Sequence, residues 1–130
     1  MSRSSMWRLI AIVVVSVMAL TACGGAEEPE VVGGFEIPAV EEGMFNVAMV
    51  LIGPHDDGGW SEAHYDGLLY VGENMDNTHV AFIELVPEGA DSEQVFRSLA
   101  RKGFDLIIGT SFGYMDPMEV VASEFPDQMF

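Results

Sequence analysis

Phe45-Asn46-Val47-Ala48-Met49-Val50-Leu51-Ile52 is apolar almost without a break and is closed by Gly53-Pro54. Such a run suits a strand buried on both faces. Beyond it the chain alternates helix with strand. Gly58–Met75 reads as a helix, with Trp60, His64, Gly67, Leu68 and Val71 on one face and Glu62, Asp66 and Glu73 elsewhere. Asp57 suits its N-cap, and Asp76-Asn77 closes it as a turn. His79–Val86 is a second strand, ended by Pro87. Asp91 then caps a second helix to Lys102, with Gln94 three residues on as in a capping box. Arg97, Arg101 and Lys102 fall in its later turns, where the helix dipole favours cations. Gly103 is its stop. Phe104–Gly109 is a third strand and Thr110–Tyr114 a loop. Asp116-Pro117 opens a third helix to about Glu124, and Gln128–Phe130 begins a fourth strand.

Short connections between apolar strands imply right-handed crossovers. The expected fold class is therefore α/β, a parallel sheet with helices on both faces. In such sheets ligands bind beyond the carboxyl ends of the strands. Three loops reach that edge: Gly53–Gly59, Val86–Ala90 and Gly109–Met115. The sequence stops inside what reads as a strand, so it is expected to be the N-terminal fragment of a longer protein.

Composition narrows the function. The 130 residues carry a formal charge of −16, and after residue 8 the only bases are Arg97, Arg101 and Lys102, against 21 acids. So acidic a surface repels phosphate backbones and excludes nucleic acid as a partner. It equally disfavours adhesion to anionic lipid through a basic face. An apolar content of 49% is too high for disorder. With one cysteine, neither an internal disulfide nor a cysteine-based zinc cluster is available. The acidity, with a single lysine, hints at a saline habitat.

The first 22 residues read as an address. Met1–Arg8 is short and positive, and Leu9–Leu20 (LIAIVVVSVMAL) is apolar apart from Ser16. That run is shorter than the roughly 18 residues a membrane span needs, and it has the form of a secretory signal. Leu20-Thr21-Ala22-Cys23 resembles the lipobox of bacterial lipoproteins. The resemblance implies cleavage before Cys23 and acylation of its thiol, a membrane anchor on the outer side of the cell membrane. Residues 24–43 are Gly, Pro and Glu with scattered apolars and no sustained period. With Cys23 they read as a flexible acidic tether (23–43) leading to the folded part, 44–130.

Several stretches carry a second resemblance. They are Asn46–Leu51 with Gly53-Pro54-His55-Asp56-Asp57-Gly58-Gly59-Trp60-Ser61, Tyr65-Asp66-Gly67-Leu68, Phe82–Glu88, Gly103–Gly113 and Ala122–Asp127. In order and spacing they are similar to the basic membrane protein family of bacterial solute-binding lipoproteins. The resemblance implies the first lobe of a type I periplasmic-binding-protein fold, two α/β lobes with a ligand between them. It implies ABC permease subunits as partners and a purine nucleoside or related heterocycle as ligand. It implies no cofactor and no catalysis.

On this sequence the resemblance places Trp60 where family members stack an aromatic on a base, and a flat π-face suits a flat heterocycle. Trp60 could instead pack into the core with its helix face. Asp57 could accept from ribose hydroxyls or a base N–H, cap the helix, or do both. Gly58 and Gly59 would let backbone approach the ligand, or only shape the turn. Ser111 could donate to a hydroxyl, Phe112 could line the pocket or plug the core, and Gly113 completes that loop. One departure stands out. The family usually carries an acid near the end of the first strand, where Leu51-Ile52-Gly53-Pro54 is apolar.

Other chemistry fits poorly. His55 and His64 are nine apart across a helix start, which does not favour zinc geometry. No Gly-Lys-Ser/Thr occurs after the glycines, so there is no P-loop. Asp56-Asp57 is the one adjacent aspartate pair on which a nucleoside-processing enzyme could hold a cation. A ligand-sensing receptor of the same fold is the remaining alternative to an importer's binding protein.

Overall fold

The computed structural model describes residues 30–130. The signal segment and Cys23 lie outside the described residues. Among those described, five strands and three α-helices run in order: β1 Glu30–Val32, β2 Phe35–Ile37, β3 Phe45–Val50, α1 Trp60–Asn74, β4 Thr78–Ile83, α2 Ala90–Lys102, β5 Leu106–Gly109 and α3 Met115–Glu124. A 3-10 turn, Phe112–Tyr114, leads into α3.

The main sheet is parallel, in the order β4-β3-β5. The first strand of this sheet in sequence is thus central, and successive crossovers leave it in opposite directions. Two right-handed crossovers in opposite directions put their helices on opposite faces. The packing shows this through the period of two along β3. Ala48 and Val50 face Val95, Phe96, Leu99, Tyr114 and Val121 of the α2/α3 side. Val47, Met49 and Leu51 face Leu68 and Tyr65 of α1. Every residue from Val47 to Leu51 is buried, as the unbroken apolar run requires. The α/β reading with helices on both faces therefore stands.

Three local expectations need correction. The helix face drawn through Trp60, His64, Gly67, Leu68 and Val71 is not the one that packs. Leu68 alone of that set is buried, and Trp60 is 61% exposed. While His64, Gly67 and Val71 look onto β3 and β5 across an open groove, the face in tight contact with the sheet runs through Ser61, Tyr65, Leu68 and Gly72. Gly72 sets it, because a Cβ there would lie 2.8 Å from Cγ2 of Val80, so only glycine lets α1 settle this low on β4. Second, α2 begins at Ala90, so Asp91 lies in its first turn and is not the N-cap, which is Gly89. Asp91 still favours the helix through the dipole. Its C-terminus is as expected, with Gly103 left-handed at φ 95° and its N–H donating to the carbonyls of Leu99 and Ala100.

Third, the stretch read as a tether is folded from Glu30 onward. β1 and β2 form an antiparallel hairpin, with Val32 opposite Phe35. Gly33 and Gly34 make its two-residue turn at φ 61° and 91°. Such turns demand positive φ at both positions, and Gly-Gly supplies it without strain. Ile37 is buried, and Val32, Phe35 and Val40 pack against the α2-side core. Asn46 holds the next turn. Its side chain accepts from Glu41 N–H at 2.7 Å and donates to the carbonyls of Glu41 and Met44. At the other end, Ile107 N–H donates to the Met129 carbonyl at 3.0 Å, and Met129 bridges Leu106 in parallel. The strand expected at Gln128–Phe130 is thus represented by one bridge beside β5.

Candidate functional site

A central strand whose neighbours lie in opposite directions creates a switch point, where the loops at its carboxyl end diverge and leave a crevice. Here that point is the end of β3. The three loops expected at this edge are all there, and each is joined to another by a side-chain hydrogen bond. Trp60 Nε1 donates to the Thr110 carbonyl at 2.5 Å, tying the β3–α1 loop to the loop after β5. His55 ties the β3–α1 loop to the end of β4. Its backbone N–H and Nδ1 both lie on Glu84 Oε2, at 2.7 and 2.8 Å. Glu88 ties the loop after β4 to the loop after β5, accepting from Ser111 Oγ at 2.5 Å and Gly113 N–H at 3.1 Å, both on Oε1.

Trp60 is the first residue of α1 and projects from the edge instead of entering the core. Its indole N–H is held by Thr110, and the His64 ring lies 4.6 Å away, tilted by 47°. His64 is itself fixed, with Nδ1 2.7 Å from the Trp60 carbonyl. The ring is therefore oriented before any ligand arrives, yet 61% of the residue is exposed. A flat π-face held this way can stack without losing further side-chain freedom.

Asp57 is not the N-cap, which is Gly59, but its carboxylate caps the helix from two residues earlier. Oδ1 accepts from the N–H groups of Gly59 and Glu62 at 2.8 and 3.1 Å, and Oδ2 from Ser61 N–H at 3.1 Å. These bonds satisfy helix N–H groups that have no partner within the helix. They also hold the Asp57 carboxyl below the usual aspartate range, those from Glu62 and Ser61 acting most strongly. Gly58 takes φ 70°, which explains a glycine there, and its N–H donates to Glu62 at 2.7 Å. Gly59 is the residue before the helix.

In the third loop, Phe112 is 86% exposed, so it does not plug the core. The core position belongs to Tyr114, 1% exposed, whose hydroxyl donates to the Val86 carbonyl at 2.6 Å. Burial and the Glu88 charge push its phenol well above the usual range. Ser111 spends its hydrogen on Glu88, so toward a ligand it has lone pairs to offer, not a proton. A Cβ on Gly113 would displace the Glu88 carboxylate, so glycine here is what lets Glu88 reach both Ser111 Oγ and the Gly113 N–H.

The sequence reading placed the Val86–Ala90 loop at this edge but singled out neither Glu84 nor Glu88. Leu51 is buried, in line with the apolar end of the first strand. The neighbouring strand brings a carboxylate, Glu84, to the same edge. Leu85, next to it, is left-handed at φ 59° and 56% exposed. For a leucine that conformation costs about 1–2 kcal/mol, and outliers of this kind gather at functional edges.

The His55–Glu84 pair gives a pH signature. The Glu84 hydrogen bond holds His55 above its ordinary 6.5 against a smaller desolvation effect, with the charges of Glu84, Asp56 and Glu62 adding. The bonds from His55 hold Glu84 below its ordinary 4.5. The histidine's contribution is full below 6.5 and is lost as pH rises through the raised value. The glutamate's is full above 4.5 and is lost as pH falls through the lowered one. His55→Gln should therefore lower the melting midpoint more between those two values than at about pH 9. Equal shifts at both would show that the pair contributes no charge-dependent stability.

Away from this edge, an apolar groove of about 360 Å³ runs between α1 and the β3/β5 face, lined by residues including Val47, Met49, Leu68, Val71, Leu106 and Ile108. It offers almost no polar group to a ligand and is an uncovered packing surface.

Comparison with known proteins defines the class to which this fold and edge belong. Residues 44–130 match the family model described as PnrA-like ABC transporter substrate-binding proteins. The chain belongs to that family. Among curated relatives, a purine-binding protein of Brucella abortus is 41% identical over 102 residues, covering 76% of this chain and 29% of the relative. A putative ABC transporter glucose-binding protein of Haloferax volcanii, TsgA13, is 42% identical over 85 residues, 65% of this chain and 22% of the relative. Two solved structures of ABC transporter solute-binding proteins are similar in fold. That from Conexibacter woesei has a TM-score of 0.59 at 28% identity, over 64% of this chain and 27% of its own. That from Aeropyrum pernix has 0.58 at 26%, over 65% and 23%. The chain thus spans less than a third of each of these proteins.

Proposed function

We propose that this chain is the first lobe of a solute-binding protein for an ABC importer, and that its ligand is a purine-type heterocycle held between this lobe and a second. The observation that carries the reading is Trp60, an oriented and exposed indole at the switch point of a parallel sheet. The purine-binding relative supports the same ligand class. The five carboxylates of this edge, Asp56, Asp57, Glu62, Glu84 and Glu88, face no Lys or Arg of their loops, which disfavours phosphorylated ligands and leaves bases and nucleosides. No reaction is proposed. We take Cys23 to be the acylated anchor that keeps the protein on the outer side of the membrane. Incorporation of labelled fatty acid that vanishes in Cys23→Ser checks this, and equal labelling of the variant would refute it.

Calorimetry on the full-length protein tests the ligand. Trp60→Ala should weaken purine binding by about 1–3 kcal/mol while leaving the unliganded melting midpoint nearly unchanged, because the residue is mostly exposed. A large loss of unliganded stability with little change in affinity would make Trp60 a packing residue. Glucose bound in preference to any purine would replace the ligand class with that named for the Haloferax relative.

A further inference from the structure

Phe112 is the most exposed large apolar residue in the described part of the chain, at 86%. Collapse of this ring onto the nearby core would bury apolar area, so bonds that fix the backbone on either side of it decide where it stands. The residues on both sides of it supply the means. Ser111 Oγ and Gly113 N–H converge on one oxygen, Oε1 of Glu88. Tyr114, one residue further, is locked by its hydroxyl to Val86, two residues before Glu88. Three of four consecutive residues are thus anchored to the loop after β4, and the ring that is not anchored points away.

Glu88 is itself well placed to act as a fixed acceptor. Pro87 restricts the backbone before it, and Gly89 after it is the cap of α2 at φ 92°. The seat is tight, as a Cβ on Gly113 would overlap the carboxylate. A charged acceptor makes stronger bonds to O–H and N–H than a neutral one, so a single side chain suffices to set this loop.

We propose that Glu88 is a positioning residue for the ligand. By gripping both neighbours of Phe112 it presents that ring to the crevice as the second apolar contact of this lobe, beside Trp60. This rests on the small-molecule reading above. The ligand it serves is a flat or partly apolar ring, and Glu88 acts on it through Phe112.

The test uses the full-length protein with Glu88→Gln, Glu88→Ala and Gly113→Ala, an adenine titration, and hydrogen exchange at residue 113 without ligand. Gln keeps an acceptor oxygen and should bind adenine much as the wild type does. Glu88→Ala and Gly113→Ala should each weaken binding within the range of about 5–150-fold that one stacked aromatic contributes. Unliganded melting midpoints should be nearly unchanged, since an exposed bond of this kind adds little stability. The Gly113 amide should exchange slowly in wild type and Glu88→Gln, and fast in Glu88→Ala. Glu88→Gln as damaging to affinity as Glu88→Ala, with its Gly113 amide still slow to exchange, would overturn the proposal, because the charge itself would then be the ligand contact. Affinity lost only in step with melting midpoint would overturn it in favour of a structural role. The exchange readout needs no ligand, so two failures are told apart. Equal exchange in all proteins overturns the clamp. An intact exchange contrast in a protein that binds no purine overturns the ligand class.

Discussion

Phe96→Ala should cost this lobe about 3–5 kcal/mol, a large share of the roughly 5–15 kcal/mol that stabilises a typical domain. Phe96 is fully buried in α2 and stands edge-on to Tyr114, with ring centroids 5.4 Å apart and planes at 85°. Such pairs add about 0.5–1.5 kcal/mol beyond area burial. The backbone of Gly109, at the end of β5, lies so close that a Cβ there would sit 3.0 Å from Phe96 Cζ. Little can move in to fill the space, because strand backbone forms one wall and a hydrogen-bonded tyrosine another. The damage should reach the crevice. Tyr114 anchors the loop carrying Phe112, and its hydroxyl holds Val86 of the loop carrying Glu88. Hydrogen exchange of the slowest β3 amides in the full-length protein measures the opening free energy of this lobe. A loss below about 1 kcal/mol would mean that the site collapses freely and that the core around Phe96 is loosely packed.

The contrast with Trp60 shows what a single sequence reveals. Both are large aromatics at helical spacing, and by pattern either could be core. The β3 run was legible because burial on both faces leaves no polar position, and parallel order came from short apolar strands. Gly103 was legible because a helix stop needs a left-handed residue. The fate of Trp60 was not, because α1 is rotated by the close approach at Gly72, a tertiary contact with Val80 that the helix period does not encode. The hairpin was a different failure. Val31-Val32-Gly33-Gly34-Phe35 carries a local turn signal, but strands of three residues are too short to show an alternation. The site residues divide in the same way. Asp57, Trp60 and the Ser111–Gly113 loop lie just after strand ends and could be placed by topology. Glu84 and Glu88 act through partners 29 and up to 25 positions away in sequence, and no spacing rule reports such a pairing.

Residues 30–130 alone should not bind adenine or adenosine at micromolar affinity, whereas the full-length protein should. The candidate groups all lie on one edge of one sheet, and Trp60 and Phe112 leave 61% and 86% of their surface to solvent. Stacking on one aromatic contributes about 1–3 kcal/mol, and a bond to a charged acceptor about 1.5–3 kcal/mol. Association itself costs about 4–15 kcal/mol in lost translation and rotation. Even with both aromatics and one charged acceptor at their upper ends, and association at its lowest cost, a single wall reaches only about −5 kcal/mol, short of the roughly −8.2 that micromolar binding needs. The deficit has to come from groups that close over the other face of the ring, since binding sites commonly bury roughly 70–90% of a ligand. The solved relatives, of which this chain matches 27% and 23%, have the length to supply them. Calorimetry on residues 30–130, with light scattering to establish a monomer, is the direct check. The scattering matters because the apolar groove beside α1 leaves Met75 55% and Phe45 40% exposed, an invitation to self-association. A saturable micromolar isotherm from a monomer would show that one lobe encloses its ligand unaided, and the two-lobe reading would fall with it.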